Sequence, residues 1–246
     1  MTRTDESKDT YFDVNNWRRG LGFMADRAKS WPALSSMSLR NELRSPTPGS
    51  NADSYDWGSW YANVVPAMDG IHTNNSLPLI FVSGIGYDTD LSAVTNGQSL
   101  DGKNSFDLRS FDYGNKIVFE LHNYDWSAAP CNNGTDGLYT AGYGAMNVSD
   151  TSFKNHAPVV LTEFGFAINE KTADAAYAQC IRTFLQGQPG GPGGWMQWSL
   201  GGSYYIRQGK QDMDESFGLL NHQWSDWRDQ GVLDDYVVPF VKSTVA

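Results

Sequence analysis

Basic residues, cysteines and long apolar runs are all scarce in this sequence, and each scarcity bears on function. Lysine and arginine total 18 against 28 aspartates and glutamates, which gives a formal net charge of −10. Because there is no basic cluster either, nucleic acid and anionic membrane surfaces are disfavoured as partners. No run approaches the roughly 18 apolar residues of a membrane-spanning helix. The two cysteines, Cys131 and Cys180, are too far apart in sequence for a metal pair, and they could either form one disulfide or remain two thiols.

The N-terminal stretch MTRTDESKDTYF also lacks the apolar segment of a secretory signal. It indicates either a cytosolic protein or a chain that begins after the natural start, and we expect residues 1–9 to be disordered. Three N-x-S/T sequons, at Asn74, Asn133 and Asn147, favour secretion instead. Composition alone therefore leaves the location open.

Aromatic residues, in contrast, are plentiful: nine tryptophans, twelve tyrosines and twelve phenylalanines. Such rings can stack on flat apolar faces, including those of sugars, although most of them are expected in the core. Because 40% of the 246 residues are hydrophobic, the sequence predicts one folded domain over residues 1–246.

Short β-rich runs alternate along the chain with segments of helical periodicity. This alternation predicts right-handed βαβ units and a parallel sheet. Two architectures fit the pattern, an open doubly wound sheet and part of a (β/α)8 barrel. The predicted strands are SSMSL, LPLIFVSG, NKIVFELHNYDW, APVVLTEFGF and GGWMQWSLGGSYY.

The residues at the ends of these strands separate the two architectures. A nucleotide-binding sheet needs a glycine-rich turn between a strand and a helix, whereas the cluster GQPGGPGG precedes a strand. In a barrel, catalytic groups converge at the carboxyl ends of the strands. The sequence therefore predicts an α/β fold with parallel strands, an incomplete (β/α)8 TIM barrel. The residues at the predicted strand ends are Glu42, His122, Tyr124, Glu163 and Trp198.

Two glutamates at different strand ends, Glu42 and Glu163, are what cleavage of a glycosidic bond requires. One carboxyl group donates a proton to the leaving oxygen while the other attacks the anomeric carbon or activates water. Alone, Asn41 and Glu42 could form a solvated turn, and Glu163 could cap a helix. His122 alone could be a structural histidine. Their joint occurrence in this order favours the catalytic interpretation.

The order of these motifs resembles glycoside hydrolase family 5, whose members are retaining enzymes on a (β/α)8 barrel. A narrower resemblance is to a plant and fungal branch described as cellulase-like. It extends from about residue 10 to the C-terminus and is carried by MSLRNELR, GIGYDTDL, GSYYIR and DMDESFGLLN. The matched strand-end residues are Asn41 and Glu42 on strand four, His122 and Tyr124 on strand six, Glu163 on strand seven, and Trp198 on strand eight.

The resemblance implies a role for each matched residue. Glu42 would be the general acid/base, and Glu163 the nucleophile that forms a covalent glycosyl–enzyme intermediate. Asn41 would bind the 2-hydroxyl of the attacked sugar. Tyr124 would orient Glu163, and His122 would hydrogen-bond within the site.

The resemblance further implies a substrate-binding surface and a disulfide. Trp198 would form the floor of the sugar subsite, with Trp126 and Tyr205 as plausible walls. Cys131 and Cys180 would fall in neighbouring parts of the barrel and form a disulfide. The partner would be an oligosaccharide, a polysaccharide or a small β-glycoside, and the chemistry needs no metal or organic cofactor. Together with the sequons, the resemblance favours an extracellular location.

The acidic run DMDES and the expected pH optimum complete the chemical picture. Asp212, Asp214 and Glu215 could hold a calcium ion, but their spacing fits no EF-hand, and a solvated loop is the simpler interpretation. An active enzyme would have an acidic pH optimum, because its acid/base glutamate must be protonated at rest.

Glu42 comes earlier in the chain than the resemblance leads us to expect. Barrel strands 1–3 would be absent, which leaves strands 4–8 with their helices and two unpaired sheet edges. If the chain folds as written, we expect a second chain, in the simplest case another copy in a homodimer, to cover the open edge. Two alternatives to an active β-glycosidase stay open: a carbohydrate-binding remnant without turnover, and a fragment that is active only after it associates with another chain.

Overall fold

The computed structural model describes residues 13–43, 56–124 and 137–245. The chain divides into two compact units. The first unit consists of Met1–Leu121 and Gly137–Val159, and the second of His122–Asp136 and Val160–Ala246. The segment that we expect to be disordered, residues 1–9, lies outside the described residues, so that expectation stays a prediction.

Two long helices, α1 (Val14–Arg27) and α2 (Trp57–Asn74), pack against each other in the first unit. Each begins after an aspartate, Asp13 or Asp56, whose carboxylate accepts a backbone N–H of the first turn at 2.7 Å. The buried stripe of α2 recurs at helical spacing and comprises Trp60, Val64, Ala67, Met68 and Ile71.

The first unit also contains the parallel strands β1 (Ser36–Ser38) and β2 (Leu79–Val82) and most of a third, β3 (Ile117–Asn123), whose last two residues belong to the second unit. β3 is buried along almost its whole length, as expected for a strand covered on both faces. The N–H of Phe119 donates to the carbonyl of Pro158 at 2.9 Å, so the next strand, β4 (Val159–Phe164), begins beside β3. Two short helices lie between these strands in sequence, α3 (Ser92–Thr95) and α4 (Gly137–Ala141).

In the second unit, β4 pairs in parallel with β5 (Gly194–Gln197). The chain then forms an antiparallel hairpin of β6 (Ser203–Arg207) and β7 (Lys210–Asp214). The helices of this unit are α5 (Glu170–Ala173), α6 (Ala176–Gln186), α7 (Gln230–Val232) and α8 (Val238–Thr244).

Aromatic rings from β4, β5 and the C-terminal helices build the core of the second unit. Trp195 stacks on Phe240 with ring centroids 4.3 Å apart. Phe164 and Tyr236 contact Phe240 edge-on, at 6.2 and 5.8 Å between centroids. These contacts fix β4, the strand that carries Glu163, against the helical side of its unit.

The strands follow one another in the order β1-β2-β3-β4-β5. This order and the parallel pairing confirm the prediction of an α/β fold, an incomplete (β/α)8 barrel with five parallel strands. Among the described residues, no helix is both long enough and apolar enough to cross a lipid bilayer.

The predicted fifth strand, in GGWMQWSLGGSYY with its end near Trp198, is β5, which ends at Gln197. The residues SYY of the same stretch begin β6. The two glycines between the strands explain the break. A Cβ atom on Gly202 would lie 2.0 Å from the carbonyl oxygen of Asn221, so this stretch packs closely against another loop instead of extending β5.

Candidate active site

Glu163 lies one residue before the end of β4, and two neighbours from the end of β3 approach its carboxylate. The hydroxyl of Tyr124 donates a hydrogen bond to Glu163 Oε2 at 3.1 Å. Nδ1 of His122 lies 3.7 Å from the same oxygen. The His122 side chain is only 3% exposed, whereas that of Glu163 is 17% exposed. The carboxylate of Glu163 is therefore oriented by its neighbours and still reaches solvent.

The end of β3 is itself held in place by a helix of the same unit. His122 and Tyr124 are two residues apart in an extended segment and therefore point to the same side. Between them, the carbonyl of Asn123 accepts a hydrogen bond from the hydroxyl of Tyr177 on α6, at 2.5 Å. The motif HNY thus reaches Glu163 because a buried tyrosine on α6 anchors its central residue.

Trp198 follows directly after β5 and lies beside the strand end that carries Glu163. Its backbone N–H donates to the carbonyl of Phe164 at 2.8 Å. The close approach depends on Gly165, because a Cβ atom there would lie 2.6 Å from the carbonyl oxygen of Trp198. The glycine of TEFG therefore allows the tryptophan to pack next to the segment that contains Glu163.

A buried carboxylate, Glu215, holds the indole ring of Trp198. Glu215 Oε2 accepts the indole N–H of Trp198 at 3.0 Å, and Oε1 accepts the backbone N–H of Phe217 at 3.0 Å. Arg207 Nη1 lies 3.6 Å from Glu215 Oε2. Sequence reasoning considered Glu215 only as a calcium ligand or part of a solvated loop, and missed that it positions a predicted substrate-binding residue.

The other acidic residues of DMDES lie on β7 and pair with cationic side chains. Asp212 accepts a hydrogen bond from His222 at 3.0 Å, and Arg228 contacts Asp214 at 2.9 Å. The hydrogen bond from His222 lowers the pKa of Asp212, and Arg228 lowers the pKa of Asp214. The hydrogen bond with Asp212, followed by the contact with Asp214 at 3.3 Å, raises the pKa of His222 above its ordinary value. The run is therefore a strand with paired charges and not the loop that we expected.

In the first unit, Glu42 follows β1 and is fixed through its backbone. Its φ of +54° lies in the left-handed region, which is uncommon for a residue other than glycine. The carboxylate of Asp88 accepts the backbone N–H of Glu42 at 2.5 Å and that of Leu43 at 3.2 Å. The carbonyl of Leu43 in turn accepts the N–H of Tyr87 at 2.9 Å. The loop GIGYDTDL therefore clamps the segment that carries the predicted acid/base residue.

Asp88 is the residue in this region that sequence reasoning missed. Its side chain is only 1% exposed, which is unusual for a carboxylate unless it is paired. The available signal was the motif GIGYDTDL, which supported the family resemblance without suggesting a function for its aspartate. A loop that contains several positive-φ residues, Gly86, Tyr87 and Asp88, brings this carboxylate under the backbone of Glu42.

Hydrogen bonds from two side chains anchor the residues just before Glu42, and a third side chain holds one of the two donor residues. The indole N–H of Trp17 on α1 donates to the carbonyl of Leu39 at 2.8 Å. The hydroxyl of Ser83 points to the carbonyl of Arg40 at 3.5 Å, and Trp60 on α2 donates to the carbonyl of Ser83 at 2.9 Å. Both long helices of the first unit therefore help to position the NEL segment.

A further buried carboxylate, Glu120 on β3, was also not anticipated. It accepts a hydrogen bond from the hydroxyl of Ser38 on β1 at 2.6 Å. In the motif FELHNY, its alternation places it on the same side of β3 as His122. The site region therefore contains more buried carboxylates than the two strand-end glutamates.

The structure distributes the remaining predicted residues as follows. Asn41 is exposed beside Glu42 in the first unit. Tyr205 lies on β6 and its side chain is largely exposed. Trp126 and Cys131 lie outside the described residues. Cys180 is on α6. Because its predicted partner Cys131 is not among the described residues, the disulfide stays a prediction.

Comparison with known families gives one match over most of the chain. The family described as cellulase, glycosyl hydrolase family 5, matches residues 7–202. A protein from Chamaecyparis obtusa named as a glycosyl hydrolase 5 family protein is 31% identical over 258 residues. That alignment covers 94% of this chain and 42% of the relative, so the chain spans less than half of the relative's length.

Solved structures show the same fold at low sequence identity. A β-glucanase from Saccharophagus degradans aligns with a TM-score of 0.63 and 15% identity, covering 98% of this chain and 64% of the β-glucanase. The catalytic domain of the major endoglucanase from Xanthomonas campestris pv. campestris aligns with a TM-score of 0.59 and 20% identity, covering 97% of this chain and 64% of that domain. The Saccharophagus enzyme has also been solved in complex with cellotetraose.

Proposed function

Because this chain belongs to glycosyl hydrolase family 5, we propose that it hydrolyses the O-glycosidic bonds of a β-glucan or a β-glucoside with retention of configuration. The observation that carries the proposal is the carboxylate of Glu163, held by Tyr124 at the end of a buried parallel strand. The β-glucanase and endoglucanase with the same fold support β-glucan as the substrate class.

In this proposal Glu163 is the nucleophile. Attack on the anomeric carbon requires an ionised and well-oriented carboxylate. The hydroxyl of Tyr124 favours the ionised form, because a hydrogen bond donated to a carboxylate is stronger when the carboxylate is charged. It also fixes the orientation of the carboxylate. The product of this step is a covalent glycosyl–enzyme ester.

Glu42 is the general acid/base of the proposed reaction. It protonates the leaving oxygen in the first step and removes a proton from water in the second. The clamp by Asp88 supports this assignment, because the backbone of Glu42 sets the direction of its side chain. Asn41 binds the 2-hydroxyl of the sugar, and Trp198 forms the apolar floor of its subsite.

Hydrolysis of an aryl β-cellobioside by single variants tests the assignment. We expect Glu163→Gln to lower kcat/KM on the order of 10⁴-fold or more, and Glu42→Gln to lower it by about 10²- to 10⁴-fold. Glu170→Gln, which changes an exposed glutamate on α5, is the matched control and keeps full activity. NMR of the first-formed product shows retention of the β-anomer.

Three outcomes of this experiment differ in meaning. Full turnover by Glu163→Gln would show that Glu163 is not the nucleophile. An inverted anomer contradicts the covalent intermediate. A folded wild-type protein that binds cellotetraose without any turnover supports the alternative of a carbohydrate-binding protein.

A homodimer is a further part of the proposal. Among the described residues, β1 pairs only with β2, so its outer edge carries backbone groups that a strand of a second copy could bind. Light scattering across a dilution series, with activity measured on the same samples, tests this. Activity that falls as a dimer dissociates supports association, and a fully active monomer at every concentration contradicts it.

An extracellular location also stays a proposal, and the structure bears on one of its sequons. The side-chain amide of Asn74 donates to the carbonyl of Gly70 at 2.8 Å. The same nitrogen would lie 3.0 Å from a Cβ atom on Gly22, so it packs against α1. We therefore expect Asn74 to stay unglycosylated, which mass spectrometry of glycopeptides from a eukaryotic host would show.

A further inference from the structure

The hairpin of β6 and β7 and the loop that follows it line an open cavity of about 380 Å³ that has no assigned role. The loop comes after Asn221, whose carbonyl oxygen lies against Gly202 at the start of the hairpin. The cavity lies wholly within the second unit. Its lining residues are Ser203, Tyr204, Tyr205, Gln211, Asp212 and Trp224.

Two aromatic rings of this cavity are exposed to an unusual degree. The Tyr205 side chain is 81% exposed and that of Trp224 is 53% exposed. Other large rings of the same unit, such as Trp195 and Phe240, are instead packed against each other in the core. Large aromatic side chains exposed around a cavity indicate a binding surface, because leaving them in water gains nothing for folding.

Hydrogen bonds hold the ring of Trp224 in a defined position. Its indole N–H donates to the hydroxyl of Ser203 at 3.1 Å. Ser203 also hydrogen-bonds Asp212, which in turn binds His222. Gly202 permits the close packing of this loop, since a Cβ atom there would lie 3.1 Å from Cδ1 of Trp224. A ring fixed in this way loses little freedom when a ligand stacks on it.

The polar groups of the cavity suit a neutral, hydroxyl-rich ligand. Asp212 and Gln211 supply acceptors and an amide donor for hydroxyl groups. Two nearby cations are already paired, because His222 contacts Asp212 and Asp214 and Arg228 contacts Asp214. An anionic ligand would meet the negative charge of Asp212.

The cavity is also connected to the predicted sugar floor through one carboxylate. Glu215, the residue after β7, accepts the indole N–H of Trp198 and lies 3.6 Å from Arg207 on β6. The guanidinium group of Arg207 lies over the ring of Tyr204, 4.4 Å from its centroid, and Tyr204 lines the cavity. A chain of contacts therefore links the hairpin cavity with Trp198.

We infer that this cavity is a remote saccharide subsite, in which Trp224 and Tyr205 stack on glucose units of a β-linked gluco-oligosaccharide and Asp212 and Gln211 bind its hydroxyl groups. The inference rests on the proposed function for its substrate class, although it concerns units away from the bond that is cleaved. It implies a preference for longer chains, because an oligosaccharide reaches the hairpin only when it extends beyond Trp198.

Calorimetric titration with cellotetraose tests the subsite without any turnover, if it is carried out in the Glu163→Gln background. We expect Trp224→Ala to weaken binding by about 5- to 10-fold, the range of one aromatic stacking contact. Trp227→Ala is the matched control, because Trp227 is exposed to a similar extent at 44% but does not line the cavity. We expect it to leave the affinity unchanged.

Tyr205→Ala provides a second variant in case Trp224→Ala fails to fold. The side chain of Tyr205 is the more exposed of the two, so its removal disturbs the fold less. We expect it to weaken binding as well, by about 3-fold or more. Equal affinity in the parent, Trp224→Ala and Tyr205→Ala overturns the subsite. A parent that binds no cellotetraose also overturns it, while activity of the wild type on the aryl β-cellobioside separately decides the proposed function.

Discussion

The segments around Glu42 and Glu163 hold their glutamates in different ways. In the first unit, Asp88 grips the backbone N–H groups of Glu42 and Leu43, and the residue adopts a positive φ. In the second unit, Glu163 lies on β4, where the register with β5 shifts between Leu161 and Phe164, and the hydroxyl of Tyr124 contacts its carboxylate directly. Asp88 thus acts on the main chain of Glu42, whereas Tyr124 acts on the side chain of Glu163.

This difference corresponds to the two chemical roles that we propose. A nucleophile has to stay ionised and point at one atom, so a donor on its carboxylate helps. An acid/base residue has to gain and lose a proton in each cycle, and a strong donor on its carboxylate would favour only the ionised form. The clamp of Asp88 acts on the backbone N–H of Glu42 and adds no donor to its carboxylate.

Removing the clamp gives the largest effect expected from this comparison. We expect Asp88→Ala to lower kcat/KM for a phenyl β-cellobioside by about 10²-fold, because a displaced acid no longer reaches the leaving oxygen. A dinitrophenyl β-cellobioside needs no proton to leave, so its kcat/KM falls far less. Steady-state kinetics on both substrates measure the difference.

Two controls separate positioning by Asp88 from a loss of folding. Asp88→Asn keeps one carbonyl acceptor and should recover part of the activity on the phenyl substrate. Urea unfolding of each variant reports stability. If both substrates lose activity in parallel with stability, Asp88 is only structural and the proposed difference between the two glutamates is wrong.

Weakening the contact on the side chain of Glu163 should give a smaller effect, and one that is similar for both substrates. Tyr124→Phe removes one hydrogen bond to a charged group, and we expect kcat/KM to fall by about 10-fold. Because the nucleophile attacks the anomeric carbon whatever the leaving group is, the phenyl and dinitrophenyl substrates should lose activity to a similar extent. A loss confined to the phenyl substrate would place Tyr124 in the proton transfer instead.

The sequence predicts the fold well because strand and helix patterns are local. Five short apolar runs alternate with helical segments, and every run became a parallel strand of the expected order. The hairpin of β6 and β7 was not predicted, and at its start Gly202 lies against Asn221, a residue far away in sequence. No local pattern reports such a contact.

The candidate site was only partly predictable for the same reason. His122, Tyr124 and Glu163 belong to recognisable strand-end motifs, and the structure brings them together. Asp88 and Glu215 act through a backbone N–H and an indole N–H of distant segments. In the sequence they are ordinary acidic residues of loops, so their roles appear only when the partners are located.

The smallest expected effect is on stability, and it concerns the charged residues on and beside the hairpin of β6 and β7. His222 has a raised pKa because of Asp212, so its protonated form stabilises the folded state below its ordinary pKa of 6.5, and this contribution disappears as the pH rises through the raised value. Asp212 and Asp214 have lowered pKa values, so their contribution is present above their ordinary 3.8 and disappears as the pH falls through the lowered values. We expect His222→Gln to lower the free energy of unfolding slightly at about pH 5.5 and not at about pH 9, because surface ion pairs contribute little. Urea unfolding at both values measures this, and an equal loss at both pH values would show that His222 acts through packing and not through its charge.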